Sequence, residues 1–284
     1  MITLLEVVKR TADFLEKHGV ESPRLNAELI IAHALGIGRM QVYLQFERPL
    51  TEAQLEAIRP LVRRRARREP LAYVLGTAAF GDLVLSVDRR VLVPRPETEQ
   101  LVELIKDSVT QPPAAVLDLG TGSGALALAL ARLYPEARVT AVDASEEALS
   151  VARGNAARHG LEARITFLRS HWFDALSPVA GRFGVIVANP PYLTEEEWAS
   201  AEPEVRGHEP KEALVAPDGG SGDLLAIIAG APRFLESQGW LFLETGVDQH
   251  ERLLAALSAA GLQEPRSHQD WNGRDRFVSA RMPG

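Results

Sequence analysis

The chain has 284 residues, 46% apolar and 24% charged, with a formal net charge of −7 and no cysteine. This composition is ordinary for a globular protein with room for two cores, and the missing cysteines exclude disulfides, thiol nucleophiles and cysteine-ligated zinc. No apolar stretch reaches ~18 residues and the N-terminus lacks the basic-then-apolar layout of a signal peptide, so a cytoplasmic protein without a membrane segment is expected.

Residues 1–75 read as a helical bundle. Leu4, Leu5 and Val8, then Leu25, Leu29, Ile30, Ala34 and Leu35, recur at the spacing of helix faces turned inward. Ser22 is the expected N-cap of the second helix, with Pro23 in its first turn and Gly36 as its stop, and Thr51 caps the next helix. Arg63-Arg64-Arg65-Ala66-Arg67-Arg68 holds five arginines in six positions. It is read as a solvated helix end, where cations complement the dipole, in preference to a contact with RNA or an acidic protein.

Charge is divided unevenly: residues 1–75 carry a balance of +3 and the remainder −10. An acidic remainder is poorly suited to tracking a nucleic-acid backbone, whereas a separate helical module suits docking of a folded protein. Residues 76–93 change period. Leu83–Val87 and Val91–Val93, separated by Asp88-Arg89-Arg90, suggest a β-hairpin connector. From residue 94 onward strand-like and helix-like stretches alternate, which predicts an α/β fold with a mostly parallel sheet and helices on both faces. Leu262–Asp270 and Phe277–Ala280 flank a charged turn and are expected to close the sheet as an antiparallel pair.

Two motifs carry the chemistry. Val116–Leu119, Gly120-Thr121-Gly122-Ser123-Gly124 and the helix-like Ala125–Ala131 form a strand, a glycine turn and a helix start, where a ligand can lie against bare backbone. The next strand, Arg138–Val142, ends in Asp143, placed to accept hydrogen bonds from ribose hydroxyls. Gly120, Gly122 and Ala125 also satisfy a dinucleotide fingerprint, so a nicotinamide enzyme is a competing reading. Asp118 inside the strand end and a later motif favour S-adenosyl-L-methionine instead. That motif is Asn189-Pro190-Pro191-Tyr192, directly after the buried run Val185–Ala188. The prolines end the ladder and hold Asn189 at the carboxyl end of a strand. The Asn189 side-chain oxygen and the Pro190 carbonyl are two acceptors that can polarise a planar NH2 group, and Tyr192 can stack on its flat face.

Other candidates are weaker. Trp172 can pack on adenine, while Phe173 has core packing as a strong rival. Glu97 and Glu99 are equally well explained as first-turn acids of a helix. Glu244 ends the run Gly239–Leu243 on the ligand side of the sheet without an evident role. The seven histidines are scattered in no ligand spacing, so no metal is inferred.

The order of these features resembles class I methyltransferases that modify planar NH2 groups. Pro94-Arg95-Pro96-Glu97-Thr98-Glu99, Trp172-Phe173 and the leader Ser22–Leu29 narrow the resemblance to the PrmC/HemK family, over essentially the whole chain to Arg274–Phe277. Its members are protein-(glutamine-N5) methyltransferases acting on peptide chain release factors. The resemblance implies a Rossmann-like, mostly parallel seven-stranded sheet with an antiparallel C-terminal strand. It implies methyl transfer from S-adenosyl-L-methionine to the glutamine of a Gly-Gly-Gln motif, with adenine-N6 methylation of nucleic acid as the alternative and a non-catalytic binding protein as a third. The cofactor residues would be Gly120–Gly124, Asp143, Trp172 and Asn189. Asn189, Pro190, Pro191 and Tyr192 would hold the substrate, with Asn189, Pro190 and Tyr192 catalytic. One departure stands out: His171 sits where family members carry an acid before the Trp. The expected organisation is a substrate-docking bundle over residues 1–75, a connector over 76–93 and a catalytic domain over 94–284, acting as a monomer.

Overall fold

The computed structural model describes residues 2–177 and 182–284. One compact unit runs up to Thr77 and includes Ala201–His208; the other comprises Ala78–Ser200 and Glu209–Gly284. The first contains α1 (Leu4–Lys17), α2 (Pro23–Leu35), α3 (Arg39–Leu44), α4 (Glu52–Ala66) and α5 (Leu71–Leu75). Thr3 with Glu6 and Thr51 with Gln54 form capping boxes that satisfy the first donors of α1 and α4. The core gathers Leu4, Leu15, Ile30, Ile31 and Val42.

Ser22 and Gly36 take the cap positions expected of them, and two other expectations for this unit need correction. Ser22 holds the N-cap position of α2 but adopts a left-handed backbone (φ 48°) and makes no side-chain cap; Pro23, lacking an N–H, removes one donor that a cap would serve. The inward face of α2 is also rotated: Leu25 is exposed, while Asn26, Ala27, Glu28 and Ile30 are buried. Polar partners make this possible. Glu28 accepts from Arg24 Nε (3.0 Å), Arg39 Nε (3.0 Å) and Tyr43 Oη (2.6 Å), and Asn26 Oδ1 accepts from Arg65 Nε at 2.8 Å. The arginine run is therefore only partly a solvated helix end: Arg63 and Arg67 are exposed, and the others are drawn into pairs. Arg65 is buried and pairs with Glu204 at 2.8 Å, Arg68 pairs with the same carboxylate at 2.6 Å, and Arg64 pairs with Glu69 at 2.5 Å. Glu204 lies in α10 (Pro203–His208), which is why that segment belongs to this unit.

The hairpin is present but one strand earlier than expected. It joins β1 (Thr77–Phe80) to β2 (Leu83–Ser86) through Gly81, whose φ of 56° a tight turn demands. Val91–Val93 forms no strand; Asp88 instead accepts from the Arg90 main chain (3.0 Å) and guanidinium, folding that stretch into a turn.

There follow α6 (Pro96–Ser108), β3 (Ala115–Leu119), α7 (Ala125–Leu133), β4 (Arg138–Asp143), α8 (Glu146–Arg158), β5 (Ile165–Arg169), β6 (Phe183–Ala188) and α9 (Glu195–Ser200). After α10 come α11 (Gly222–Gly230), β7 (Leu235–Glu244), α12 (His250–Ala259), β8 (Gln263–Gln269) and β9 (Asp275–Arg281). The seven-stranded sheet has the order β5-β4-β3-β6-β7-β9-β8, parallel except for β9, which runs against both its neighbours. Leu117, Ile186, Leu241, Leu253 and Val278 are among the fully buried residues of its core.

Register positions the site. Leu119 is level with Val142 on β4 and Ala188 on β6, and Ala188 is level with Leu243 on β7. The next residue along each strand, Gly120, Asp143, Asn189 and Glu244, therefore stands in one row along the carboxyl rim. The strand order reverses between β3 and β6, and ligands of open α/β sheets bind at such a reversal.

Candidate active site

A cavity of about 480 Å³ lies along this rim, walled by Gly120–Ser123, Asp143, Trp172, Asn189 and Pro191 among others. The loop that opens it turns on glycines. Gly120, Gly122 and Gly124 have φ of 73°, 55° and 85°, a region L side chains avoid. A β-carbon at Gly124 would meet Leu128 at 2.8 Å and Ala152 at 3.2 Å, so this glycine lets α7 pack close to α8. A β-carbon at Gly120 would stand 3.3 Å from the Trp172 indole. The missing side chain thus lets the loop backbone come close to the indole, and both line the cavity.

Two carboxyl groups flank the loop. Asp118 is fully buried; one oxygen accepts from Thr121 Oγ1 (2.6 Å) and the Ala127 N–H (3.1 Å), and the other has no partner. Burial pushes this carboxyl up to about 7. Asp143 accepts from the Gly122 N–H (2.9 Å) and the Ser145 N–H (2.9 Å), and burial raises it too, against those bonds. Trp172 adopts a left-handed backbone (φ 44°) and donates its Nε1–H to Asp223 at 3.2 Å, an indole held by a polar partner. Phe173 stacks on Phe234 with centroids 4.8 Å apart, in the core as its rival reading had it. His171 lines the cavity, largely exposed, 3.8 Å from Asp174.

At Asn189-Pro190-Pro191-Tyr192 the structure divides the motif. Asn189 and Pro191 line the cavity, while Pro190, Tyr192 and also Gly124 of the glycine loop are not in its wall. Asn189 donates its Nδ2–H to Thr98 Oγ1 (3.1 Å), so Oδ1 is the acceptor its amide can offer the cavity. Tyr192 is anchored: its hydroxyl donates to Glu244 Oε1 at 3.2 Å, its N–H to the Leu214 carbonyl at 3.1 Å, and its own carbonyl accepts from Gln249 Nε2 at 2.9 Å. Burial, followed by the nearby Glu244, raises the Tyr192 phenol and keeps it neutral. Gly220 (φ 81°) runs so close to this loop that a β-carbon there would sit 2.3 Å from the Tyr192 carbonyl oxygen.

Glu244 receives a second hydrogen bond, from Thr98 Oγ1 to Oε2 at 2.7 Å, and lies fully buried. Thr98, Arg95, Gln249 and Asp223 were not singled out from the sequence as site residues. Thr98 sits between Glu97 and Glu99, yet it lines the cavity and they do not. Arg95 lines it as well, with Nη2 at 2.9 and 2.8 Å from the two oxygens of buried Glu209.

A glycine loop after the first parallel strand, an acid after the second, and a reversed penultimate strand define the class I methyltransferase fold. Solved structures agree at the level of fold. A methyltransferase from Pyrococcus furiosus superposes with a TM-score of 0.57 at 18% identity, over 78% of this chain and 99% of that one. The Thermus thermophilus 16S rRNA N2 G1207 methyltransferase, solved with AdoMet and guanosine, gives 0.53 at 19% identity, over 72% and 49%. Sequence comparison is more specific. Family profiles described as the PrmC N-terminal domain and the methyltransferase small domain match residues 6–76 and 96–202. The release factor glutamine methyltransferase of Geobacter sulfurreducens is 42% identical over 99% of this chain and 97% of its own length. That of Chlorobaculum tepidum is 41% identical over 98% and 96%. The chain belongs to the release factor glutamine methyltransferase family.

Proposed function

We propose that the protein transfers a methyl group from S-adenosyl-L-methionine to the side-chain amide nitrogen of the glutamine in the Gly-Gly-Gln motif of peptide chain release factors. The observation that carries this is an amide acceptor, Asn189 Oδ1, offered to a cavity that begins on a glycine loop, in a chain 42% identical to a release factor glutamine methyltransferase.

The residues fit the methyl donor. Gly120 and the Trp172 indole both line the cavity, so a flat base lying in it can pack on the indole. The loop suits a pyrophosphate poorly: the Gly122 N–H is already bonded to Asp143, and buried Asp118 adds a second acid beside it. S-adenosyl-L-methionine supplies a methyl carbon made electrophilic by a positively charged sulfur. Asp143 would accept from its ribose hydroxyls and Trp172 would pack on its adenine.

For the acceptor, Asn189 Oδ1 takes a hydrogen bond from a planar NH2 group; the Pro190 carbonyl, expected to take the other, lies outside the cavity wall. Nitrogen attack places positive charge on that group, so acceptors aimed at its hydrogens bind the transition state more strongly than the ground state. Alignment contributes on the order of 7–11 kcal/mol, and one polarising contact roughly 3–4 kcal/mol. No general base is required, because the proton can leave to water once the new bond has begun to form. The helical unit is the proposed docking surface for the release factor.

Incubating the protein with labelled S-adenosyl-L-methionine, a release factor and DNA together tests this reading. The label is expected on the release factor, as one methyl on the Gly-Gly-Gln glutamine by mass spectrometry, and absent when that glutamine is alanine. Label on DNA adenine and none on protein would replace it with the nucleic-acid alternative.

A further inference from the structure

Glu244 is a fully buried acid at the rim, and its neighbours are arranged in a definite order. Its Oε2 accepts from Thr98 Oγ1 (2.7 Å), and the Thr98 hydroxyl in turn accepts from Asn189 Nδ2 (3.1 Å). Its Oε1 accepts from the Tyr192 hydroxyl (3.2 Å). Four residues from three elements, α6, the loop after β6 and the end of β7, form one chain that ends at the cavity on the Asn189 amide.

We infer that Glu244 is a positioning residue for methyl transfer, acting through the Thr98 hydroxyl to fix which end of the Asn189 amide faces the substrate. The argument is one of donor direction. An ionised carboxylate only accepts. It therefore takes the Thr98 hydrogen, which leaves the Thr98 oxygen as an acceptor, which in turn draws the NH2 end of Asn189 and turns Oδ1 to the cavity. Reverse the first bond and each later one reverses: a donor at position 244 would make Thr98 donate to Asn189 Oδ1. The NH2 end would then face the substrate's own NH2 group, donor against donor. The same carboxylate tethers Tyr192 and with it the far end of the motif.

The arrangement is sensitive to protonation. Burial pushes the Glu244 carboxyl up to about 7, opposed by the Thr98 and Tyr192 hydrogen bonds and by Arg276 on β9, and assisted by Glu97 on α6. A proton on Oε2 of Glu244 is a donor toward Thr98 and reverses the chain, so the rate of the chemical step should rise with pH as Glu244 ionises, then level off. Asp118 titrates in the same window but lies at the cofactor loop; measuring at saturating S-adenosyl-L-methionine separates the two.

This inference rests on the proposed glutamine-methylating activity. The experiment is single-turnover methylation of release factor by the full-length protein from about pH 5.5 to about pH 8.5, comparing wild type with Glu244→Gln, Thr98→Val and Thr98→Ser. E244Q keeps the shape but replaces one acceptor oxygen by an NH2 donor, and with that donor toward Thr98 it is expected to lose about tenfold or more in rate at the alkaline end. Its cofactor affinity by calorimetry should stay near wild type, and it should lose the rising limb. Thr98→Val should lose rate similarly, and Thr98→Ser, which restores the hydroxyl, should recover most of that loss. A residue that served only as packing would lower folded protein or cofactor affinity without removing the limb. If E244Q does not fold, the wild-type profile and the Thr98 pair decide, since a flat wild-type profile or equal rates for the Val and Ser variants overturns the relay. No wild-type methylation of release factor overturns the substrate reading and the positioning role with it. Normal wild-type methylation with an E244Q rate and profile like wild type overturns the positioning role alone.

Discussion

Glu28 in the helical unit and Glu244 in the catalytic unit are the same residue type at the same depth, each 1% exposed, and they are held in opposite ways. Glu28 meets two guanidinium groups, of Arg24 and Arg39, and the Tyr43 phenol. Burial works to raise its carboxyl, but bonds from Tyr43, Arg24 and Arg39 outweigh burial and hold it below the usual range. Glu244 is hydrogen-bonded by two neutral hydroxyls, with Arg276 acting only at longer range, and burial lifts it to about 7. A carboxylate paired with cations is fixed in charge and serves the fold. One held by hydroxyls can change protonation near neutrality, and such groups gather where chemistry is done.

The largest expected effect breaks the catalytic side of this contrast at its end. Asn189→Ala should lose methyl transfer by about 10²-fold or more while keeping most cofactor affinity, because the acceptor acts mainly in the transition state. Near-normal turnover would reduce Asn189-Pro190-Pro191-Tyr192 to a turn. Asp143 sharpens the contrast as a half-buried acid held by backbone N–H groups. Asp143→Ala should weaken S-adenosyl-L-methionine binding by about 1–3 kcal/mol, read by calorimetry, since ribose hydroxyls are left poorly paired; unchanged affinity would remove Asp143 from the cofactor site.

Stability should separate the two glutamates directly. Glu28→Gln takes an acceptor from two arginines and is expected to cost about 1–3 kcal/mol near neutral pH. Glu244→Gln removes an acid that is costly to ionise where it sits, and should leave thermal stability unchanged or raised at pH above about 7. Equal losses in both would erase the distinction. The smallest effect is the pH trend. Glu244 has its folded value raised from 4.5 to about 7, so its contribution to stability is complete below 4.5 and is lost as pH rises toward 7. Glu28 is lowered below 4.5, so its contribution is present above that value and is lost as pH falls through its folded value. Melting temperature against pH should therefore fall less between those limits in E244Q, and fall less in acid in E28Q.

Most of the sheet was legible because its strands are buried on both faces and read as continuous apolar runs, such as Val185–Ala188 and Val116–Leu119. The glycine loop and Asp143 were legible for a related reason, since their places follow from strand ends. What escaped depends on partners remote in sequence. Nothing local to Arg65 announces Glu204, so the arginine run read as solvated although Arg65 is 6% exposed. Likewise Thr98 is one hydroxyl between two more conspicuous acids, and its role appears only when β7 brings Glu244 to within 2.7 Å. The paired strands within the connector were misassigned because Leu83–Val87 and Val91–Val93 are both β-like, and the turn at Gly81 decides which strand pairs. The anchor of the Tyr192 hydroxyl escaped because its partner lies 52 residues away.

The contrast is tested most directly by carbon-detected NMR of protein labelled at glutamate side-chain carboxyls, titrated with pH and assigned through E28Q and E244Q. The signal absent from E244Q should titrate with a midpoint near 7, and the signal absent from E28Q should remain that of a carboxylate to below 4.5. A Glu244 carboxyl already ionised at or below 4.5 would contradict the account.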